Sequence, residues 1–138
     1  MLDTSTSIAS EPELISNSLS DIIISPGIIF SIEVAVPDVK TYLRLREKSG
    51  MRPRTISGAT KGLGSELFSV LLRHNESDQI VGMGRVVGDG GTVFHICDMA
   101  VEQEWQGQGG GSMIMDSLMD YITGEASGYS YIDRKSVV

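Results

Sequence analysis

The spacing of apolar and polar positions changes several times along the chain, and each change predicts an element. Ile22 to Ile24 and Ile28 to Val36 are dense in β-branched residues and are split by Pro26-Gly27, which predicts a strand, or two joined by a tight turn. Pro37-Asp38 then opens a helix that runs to about Lys48, with Val39, Tyr42, Leu43 and Leu45 turned inward and Gly50 ending it. Residues 51–64 hold Pro53, Gly58, Gly62 and Gly64 and predict a loop with at most one short helix near Ser57 to Lys61. Leu67 to Arg73 and Gln79 to Val87 predict two strands around the polar turn His74-Asn75-Glu76-Ser77-Asp78. Thr92 to Val101 predicts a third, after Gly88-Asp89-Gly90-Gly91, and three strands joined by short turns predict an antiparallel meander. A Gln/Gly-rich loop follows, then a helix over Ser112 to Thr123 with Met113, Ile114, Leu118, Tyr121 and Ile122 at helical spacing, then a strand over Tyr129 to Ile132.

The first twenty residues differ: six are serine, and no periodicity links their few apolar positions, so residues 1–20 are expected to form a tail that buries too little to offset its ordering entropy. Residues 21–138 are expected to be one domain, because 138 residues with 41% hydrophobic side chains support a single core. The net charge of −7 gives no global positive field, which argues against a general nucleic-acid binder. With one cysteine, Cys97, and only His74 and His95, an intrachain disulfide is excluded and a His/Cys metal centre is not expected. The N-terminus lacks a basic stretch ahead of an apolar run, and Ile22 to Val36 is broken by Ser25, Pro26, Gly27, Ser31 and Glu33. A cytoplasmic location without membrane attachment is the expectation.

The segment Val101-Glu102-Gln103-Glu104-Trp105-Gln106-Gly107-Gln108-Gly109-Gly110-Gly111-Ser112 stands between a predicted strand and a predicted amphipathic helix. Glycines let a backbone approach a ligand closely, and the free N–H groups and positive end of the following helix attract an anion without any Lys or Arg. The alternative is a flexible connector whose glycines only relieve crowding. A Walker A loop is excluded because no lysine precedes Ser112, and a dinucleotide GxGxxG would need glycine at Ser112 within a βαβ unit.

Gln106-Gly107-Gln108-Gly109-Gly110-Gly111 resembles Gln/Arg-x-x-Gly-x-Gly/Ala, the coenzyme A motif of the Gcn5-related N-acetyltransferases (GNAT). Cys97-Asp98-Met99-Ala100-Val101 with the turn Glu102-Gln103-Glu104-Trp105 is similar to that family's fourth strand, Gln79 to Arg85 to its third and Tyr42 to Glu47 to its first helix, so the resemblance spans roughly residues 28–132. It implies an α+β fold, a mixed, mainly antiparallel sheet flanked by helices. It also implies that acetyl-CoA is the cosubstrate, with Gln106, Gly107, Gln108, Gly109, Gly110, Gly111 and Ser112 at its pyrophosphate and Met99, Ala100 and Val101 along its pantetheine arm. The amine acceptor would attack the acetyl group directly in a ternary complex, with a strand N–H polarising the thioester oxygen and a base or water chain taking the amine proton.

His95 and Asp98 are the candidate catalytic residues. Strict alternation puts His95, Cys97, Met99 and Val101 on one face and Phe94, Ile96, Asp98 and Ala100 on the other, and a bulge would exchange them, so which of the two lines the pocket stays open. Histidine ordinarily titrates near neutral pH and suits a base, while packing on one face of the strand is its other reading. Asp98 would either bind the acceptor's ammonium group or hold a loop in place. Cys97 lacks a charged neighbour that would activate a nucleophile and reads as a small buried group. Arg85 and Asp89 would organise the pocket floor or form surface ion pairs, Trp105 would pack over the glycine loop, and Met113, Met115 and Met119 would pack a helix.

The resemblance also implies a helix and one or two strands beyond the fifth strand, with a tyrosine as general acid. The sequence stops near the expected start of that helix, and Tyr129 and Tyr131 do not match that tyrosine. The expectation is therefore a domain lacking its last elements, and the exposed sheet edge would invite a homodimer. Acetyl transfer to a small primary amine is the leading reading. A catalytically silent acyl-CoA-binding or interaction protein is the second, and a nucleotide-binding module the third.

Overall fold

A computed structural model describes residues 28–126, 128 and 131–133. The expected tail over residues 1–20, the strand at Ile22 to Ile24, Tyr129 and the chain beyond 133 lie outside the described residues. The elements are β1 (Phe30–Val34), α1 (Val39–Ser49), α2 (Ile56–Gly62), β2 (Phe68–His74), β3 (Gln79–Gly88), β4 (Val93–Val101), a 3-10 turn (Gln103–Trp105), α3 (Gly110–Glu125) and β5 (Tyr131–Asp133). The strands form one sheet in the order β1-β2-β3-β4-β5. The first four are antiparallel, while β5 runs parallel to β4 and pairs with Val93, Phe94 and His95. This is the mixed, mainly antiparallel α+β sheet that the sequence predicts.

Each face of the sheet holds a core. Helix α3 presents Ile114, Leu118 and Ile122, one turn apart, to Phe30, Val70, Leu72, Val81, Val86, Phe94, Ile96, Met99 and Val101. On the opposite face α1 and α2 bring Tyr42, Leu45 and Ala59 against Leu71, Met83 and Ala100. Strand β3 lies beneath both layers, so its run from Val81 to Val86 is buried throughout. Met113, Met115 and Met119 pack against the first core, as a helix-packing role requires. Among the described residues no helix is long and apolar enough to cross a membrane.

Caps explain the boundaries of α1. Asp38 accepts a hydrogen bond from the Thr41 N–H at 2.8 Å, and Gly50 takes the left-handed conformation (φ 90°) that lets its amide reach back to the last turn. Helix α3 begins at Gly110, two residues before the expected start at Ser112. Tertiary packing overrides the poor helix propensity of Gly110 and Gly111: a Cβ on Gly110 would stand 2.5 Å from Leu72 Cδ2, so only glycine lets the helix settle this close to β2.

Gly84 performs the same service at the centre of the sheet. A Cβ there would lie 2.5 Å from Ile114 Cγ2 and 3.0 Å from Leu118 Cδ1. Gly84→Ala is therefore expected to lower stability by about 1–3 kcal/mol through overpacking, and Ile114→Ala, which removes the clashing Cγ2, is expected to cost less in the Gly84→Ala background than in the wild type. Urea denaturation of the single and double variants checks this.

Candidate functional site

The feature that organises the site is a bulge in β4. Arg85 on β3 stands opposite Cys97 and Met83 opposite Ala100, so β4 carries one residue more than β3 over this stretch. Asp98 absorbs the irregularity with φ 55°, a conformation that aspartate tolerates better than most side chains. The bulge exchanges faces. Phe94 and Ile96 before it, and Met99 and Val101 after it, all point to the α3 core. The consecutive residues Cys97 and Asp98 both line a cavity of about 310 Å³ beneath α1 and α2, together with Tyr42, Arg54, Gly58, Ala59, Gly62, Leu63 and Arg85. Half-buried His95 is two positions before Cys97 on the same strand, ahead of the bulge.

Asp98 is 6% exposed, and both its oxygens are engaged. One accepts from Arg46 Nη1 at 2.6 Å, the other from Arg85 Nη1 at 2.7 Å and the Tyr42 hydroxyl at 3.1 Å. Burial, and next the Asp98 charge, hold the Tyr42 phenol above its ordinary pKa, so it stays a donor. Each arginine carries the network outward. Arg46 Nε donates to the Arg52 carbonyl at 2.8 Å and fixes the loop after α1. Arg85 Nη2 donates to the Gly62 carbonyl at 3.1 Å, and its Nε meets Glu66, whose carboxylate also accepts from the Gly64 N–H. Both ends of the segment that walls the cavity are thus fastened to one carboxylate. Of the two readings open for Asp98, this geometry supports loop anchoring; its oxygens are committed to guanidiniums and a phenol.

Arg85 is buried (8% exposed), not one half of a surface ion pair. Arg46, 3% exposed, is a member of the cluster that sequence reasoning missed: an arginine followed by Glu47 and Lys48 on a helix reads as solvated. Asp89 is a turn fastener, accepting from the Gly91, Thr92 and Val93 amides and the Thr92 hydroxyl. The Thr92 hydroxyl bond, then those amides, lower its pKa strongly.

Burial, and next the Asp98 charge, push the Cys97 thiol up to about 11, which leaves it protonated near neutral pH and a poor nucleophile. Cys97→Ala is expected to retain acetyl transfer within a few fold. Iodoacetamide is expected to label the wild-type thiol slowly at neutral pH and faster as pH approaches 11. Rapid labelling at pH 7 would contradict this thiol chemistry.

The second half of the site is the glycine turn. Gly107 (φ 81°) and Gly109 (φ 92°) are both left-handed, and Gly109 caps α3 without any side-chain bond to the first turn. The first helical amide with a backbone acceptor is that of Met113, which donates to Gly109. Among the described residues nothing accepts from the amides of Gly110, Gly111 and Ser112, and a Cβ on Gly107, Gly109 or Gly111 would meet nothing within 4 Å. Beside them Ile28, Ile29, Phe30, Gln108, Gly109 and Met113 line a cleft of about 420 Å³. Unpartnered amides at the positive end of a 16-residue helix, with open space at Gly111, suit an anion such as a pyrophosphate.

Two members of the predicted set do other work. Gly110 is buried against Leu72 and Phe30, so its side of the turn is a packing contact. Gln106 Nε2 donates to the Val101 carbonyl at 2.8 Å, fastening the turn to the end of β4. The Glu102 N–H reaches back to the Val81 carbonyl at 2.9 Å, and Val101 and Gly82 stand opposite each other, so the Val101 peptide groups face away from β3. Beyond His95 the outer edge of β4 has no strand partner among the described residues. Trp105 packs at the β1–β2 end of the turn, 4.1 Å between ring centroids from His74 and 6.3 Å from Phe30.

A bulged fourth strand, a fifth strand parallel only to its beginning and a glycine turn into a helix define an acyl-CoA N-acyltransferase fold. Residues 43–134 match the Acetyltransferase (GNAT) family, and this chain belongs to it. It is 41% identical to a protein of unknown function from meticillin-resistant Staphylococcus aureus described as a probable acetyltransferase. That similarity covers 78% of this chain and 80% of the other, with a TM-score of 0.73. A GNAT family acetyltransferase from Streptococcus pneumoniae shares the fold at 22% identity, 78% and 76% coverage and a TM-score of 0.66. No curated protein matches the chain.

Proposed function

We propose that this protein transfers the acetyl group of acetyl-CoA to a primary amine on a small molecule, by direct attack within a ternary complex. The observation that carries the reading is the set of unpartnered amides from Gly110 to Ser112 at the start of α3, beside left-handed glycines and with open space at Gly107, Gly109 and Gly111. Acetyl-CoA, when bound, supplies an activated acetyl thioester. The Gln108 to Ser112 amides hold its pyrophosphate, and Met99 and the Val101 amide present peptide groups along the β4 edge, as a sheet edge does to an added strand, while the Val101 carbonyl is engaged by Gln106. A β4 amide serves as donor to the thioester oxygen. His95 is the proposed base, acting directly or through water, and Asp98 is a positioning residue that holds the bulge and the cavity wall.

Calorimetry with acetyl-CoA, followed by thiol release with a panel of amines, tests the reading. Binding and amine-dependent release are expected. Binding with no release from any amine would instead mark a silent acyl-CoA-binding protein, and absence of binding would defeat both. His95→Ala is expected to keep acetyl-CoA affinity and to lower kcat by about a hundredfold or more, as loss of a general base does. A full rate in that variant removes His95 from the role.

A further inference from the structure

The cavity beneath α2 has a charge pattern that a plain amine acceptor does not call for. Between Gly50 and Ser65 the chain carries Arg52, Arg54 and Lys61 and no acidic residue, in a protein whose net charge is −7. That segment supplies one wall of the cavity. Among the described residues Asp98 is the one acid lining it, and its oxygens accept from Arg46, Arg85 and Tyr42. Arg85 is matched by Asp98 and Glu66. Arg54 is different: it is exposed, and among the described residues its guanidinium meets only the Pro53 carbonyl, at 3.5 Å. A bare ammonium group entering this space meets an uncompensated cation. A molecule that also carries an anion does not.

We infer that this cavity takes an amine acceptor bearing a carboxylate or phosphate, and that Arg54 is the specificity-determining residue that binds the anionic group. A guanidinium fork matches the oxygens of either group through paired N–H donors. Arg54 lines the same cavity as Gly58, Ala59 and Gly62 of α2, and a Cβ on Gly62 would meet nothing within 4 Å, so that wall is open at Gly62. A volume of about 310 Å³ is at the small end of ligand pockets, which suits a compact zwitterion. The inference rests on the acetyltransferase reading above.

Two matched pairs of amines test it: n-propylamine against β-alanine for the carboxylate, and ethanolamine against O-phosphoethanolamine for the phosphate. Two quantities are read, kcat/KM at saturating acetyl-CoA and binding of each amine without acetyl-CoA by ligand-observed NMR. The wild type is expected to favour the anionic member of at least one pair by about tenfold or more, the size of a charge-assisted pair of hydrogen bonds. The favoured pair tells carboxylate from phosphate. Arg54→Gln is expected to erase the preference through KM, and Arg54→Glu to turn it toward the neutral amines, both with unchanged acetyl-CoA affinity. Equal use of both members of each pair, or a preference that survives Arg54→Gln, overturns the inference. So does a loss of acetyl-CoA affinity in Arg54→Gln, which would put the guanidinium on the cosubstrate. A wild type that binds no acetyl-CoA defeats the acetyltransferase reading separately, while the NMR comparison still reads the anion preference.

Discussion

Asp98→Ala is expected to destabilise the fold by about 3–5 kcal/mol, because it takes the shared carboxylate from two buried guanidiniums and, among the described residues, leaves Arg46 with no acidic partner and Arg85 with Glu66 alone. The loss follows from desolvation: Arg46 and Arg85 are 3% and 8% exposed, and each is held in place by a bond to Asp98. Asp98→Asn keeps the shape and one acceptor oxygen but not the charge, so an intermediate loss is expected. Asp98→Ala combined with Arg46→Met is expected to be more stable than Asp98→Ala alone, since an unpaired buried charge is then replaced by an apolar chain of similar length. Equilibrium urea unfolding of the four proteins measures these differences. A loss below 1 kcal/mol in Asp98→Ala would show that the arginines reach water when the carboxylate goes, and that the cluster does not anchor the cavity wall.

That cluster also marks the limit of what could be read in the chain. The strands were legible because alternation, β-branched residues and Gly or Asp turns agree from Leu67 to Val101. Tyr42 and Leu45 were legible as the inward stripe of α1, and Gly50 as its stop. Arg46 was not, because its meaning depends on a partner 52 residues away, which no local pattern reports. The bulge was foreseen as a possibility but not located. Its residue, Asp98, bore the only local hint: an acidic side chain able to turn left-handed inside a mainly apolar strand. The glycine turn was legible as a motif while its parts were not. Gly107 and Gly109 bend the chain, Gly110 lets α3 touch Leu72, and Gly111 faces open space, yet all four look alike in sequence.

That division of labour makes Gly111→Val the sharpest probe of the cosubstrate site. Gly109→Val mixes two effects, since φ 92° strains any branched residue while the side chain also blocks the turn. Gly110→Val would collide with Leu72. Gly111 alone sits in the first turn of α3 with helical geometry and no atom within 4 Å of an added Cβ. Valine there is expected to leave stability unchanged or raise it by a few tenths of a kcal/mol, because glycine is the poorer helix former. The same side chain would project into the space beside the Gly110 to Ser112 amides and keep an anion from reaching them. Losing two charge-assisted hydrogen bonds corresponds to about a hundredfold or more in acetyl-CoA Kd. Calorimetry should therefore show a folded protein of normal Tm that no longer binds acetyl-CoA. Wild-type affinity in Gly111→Val would mean that the pyrophosphate is held elsewhere, and that the turn serves packing alone.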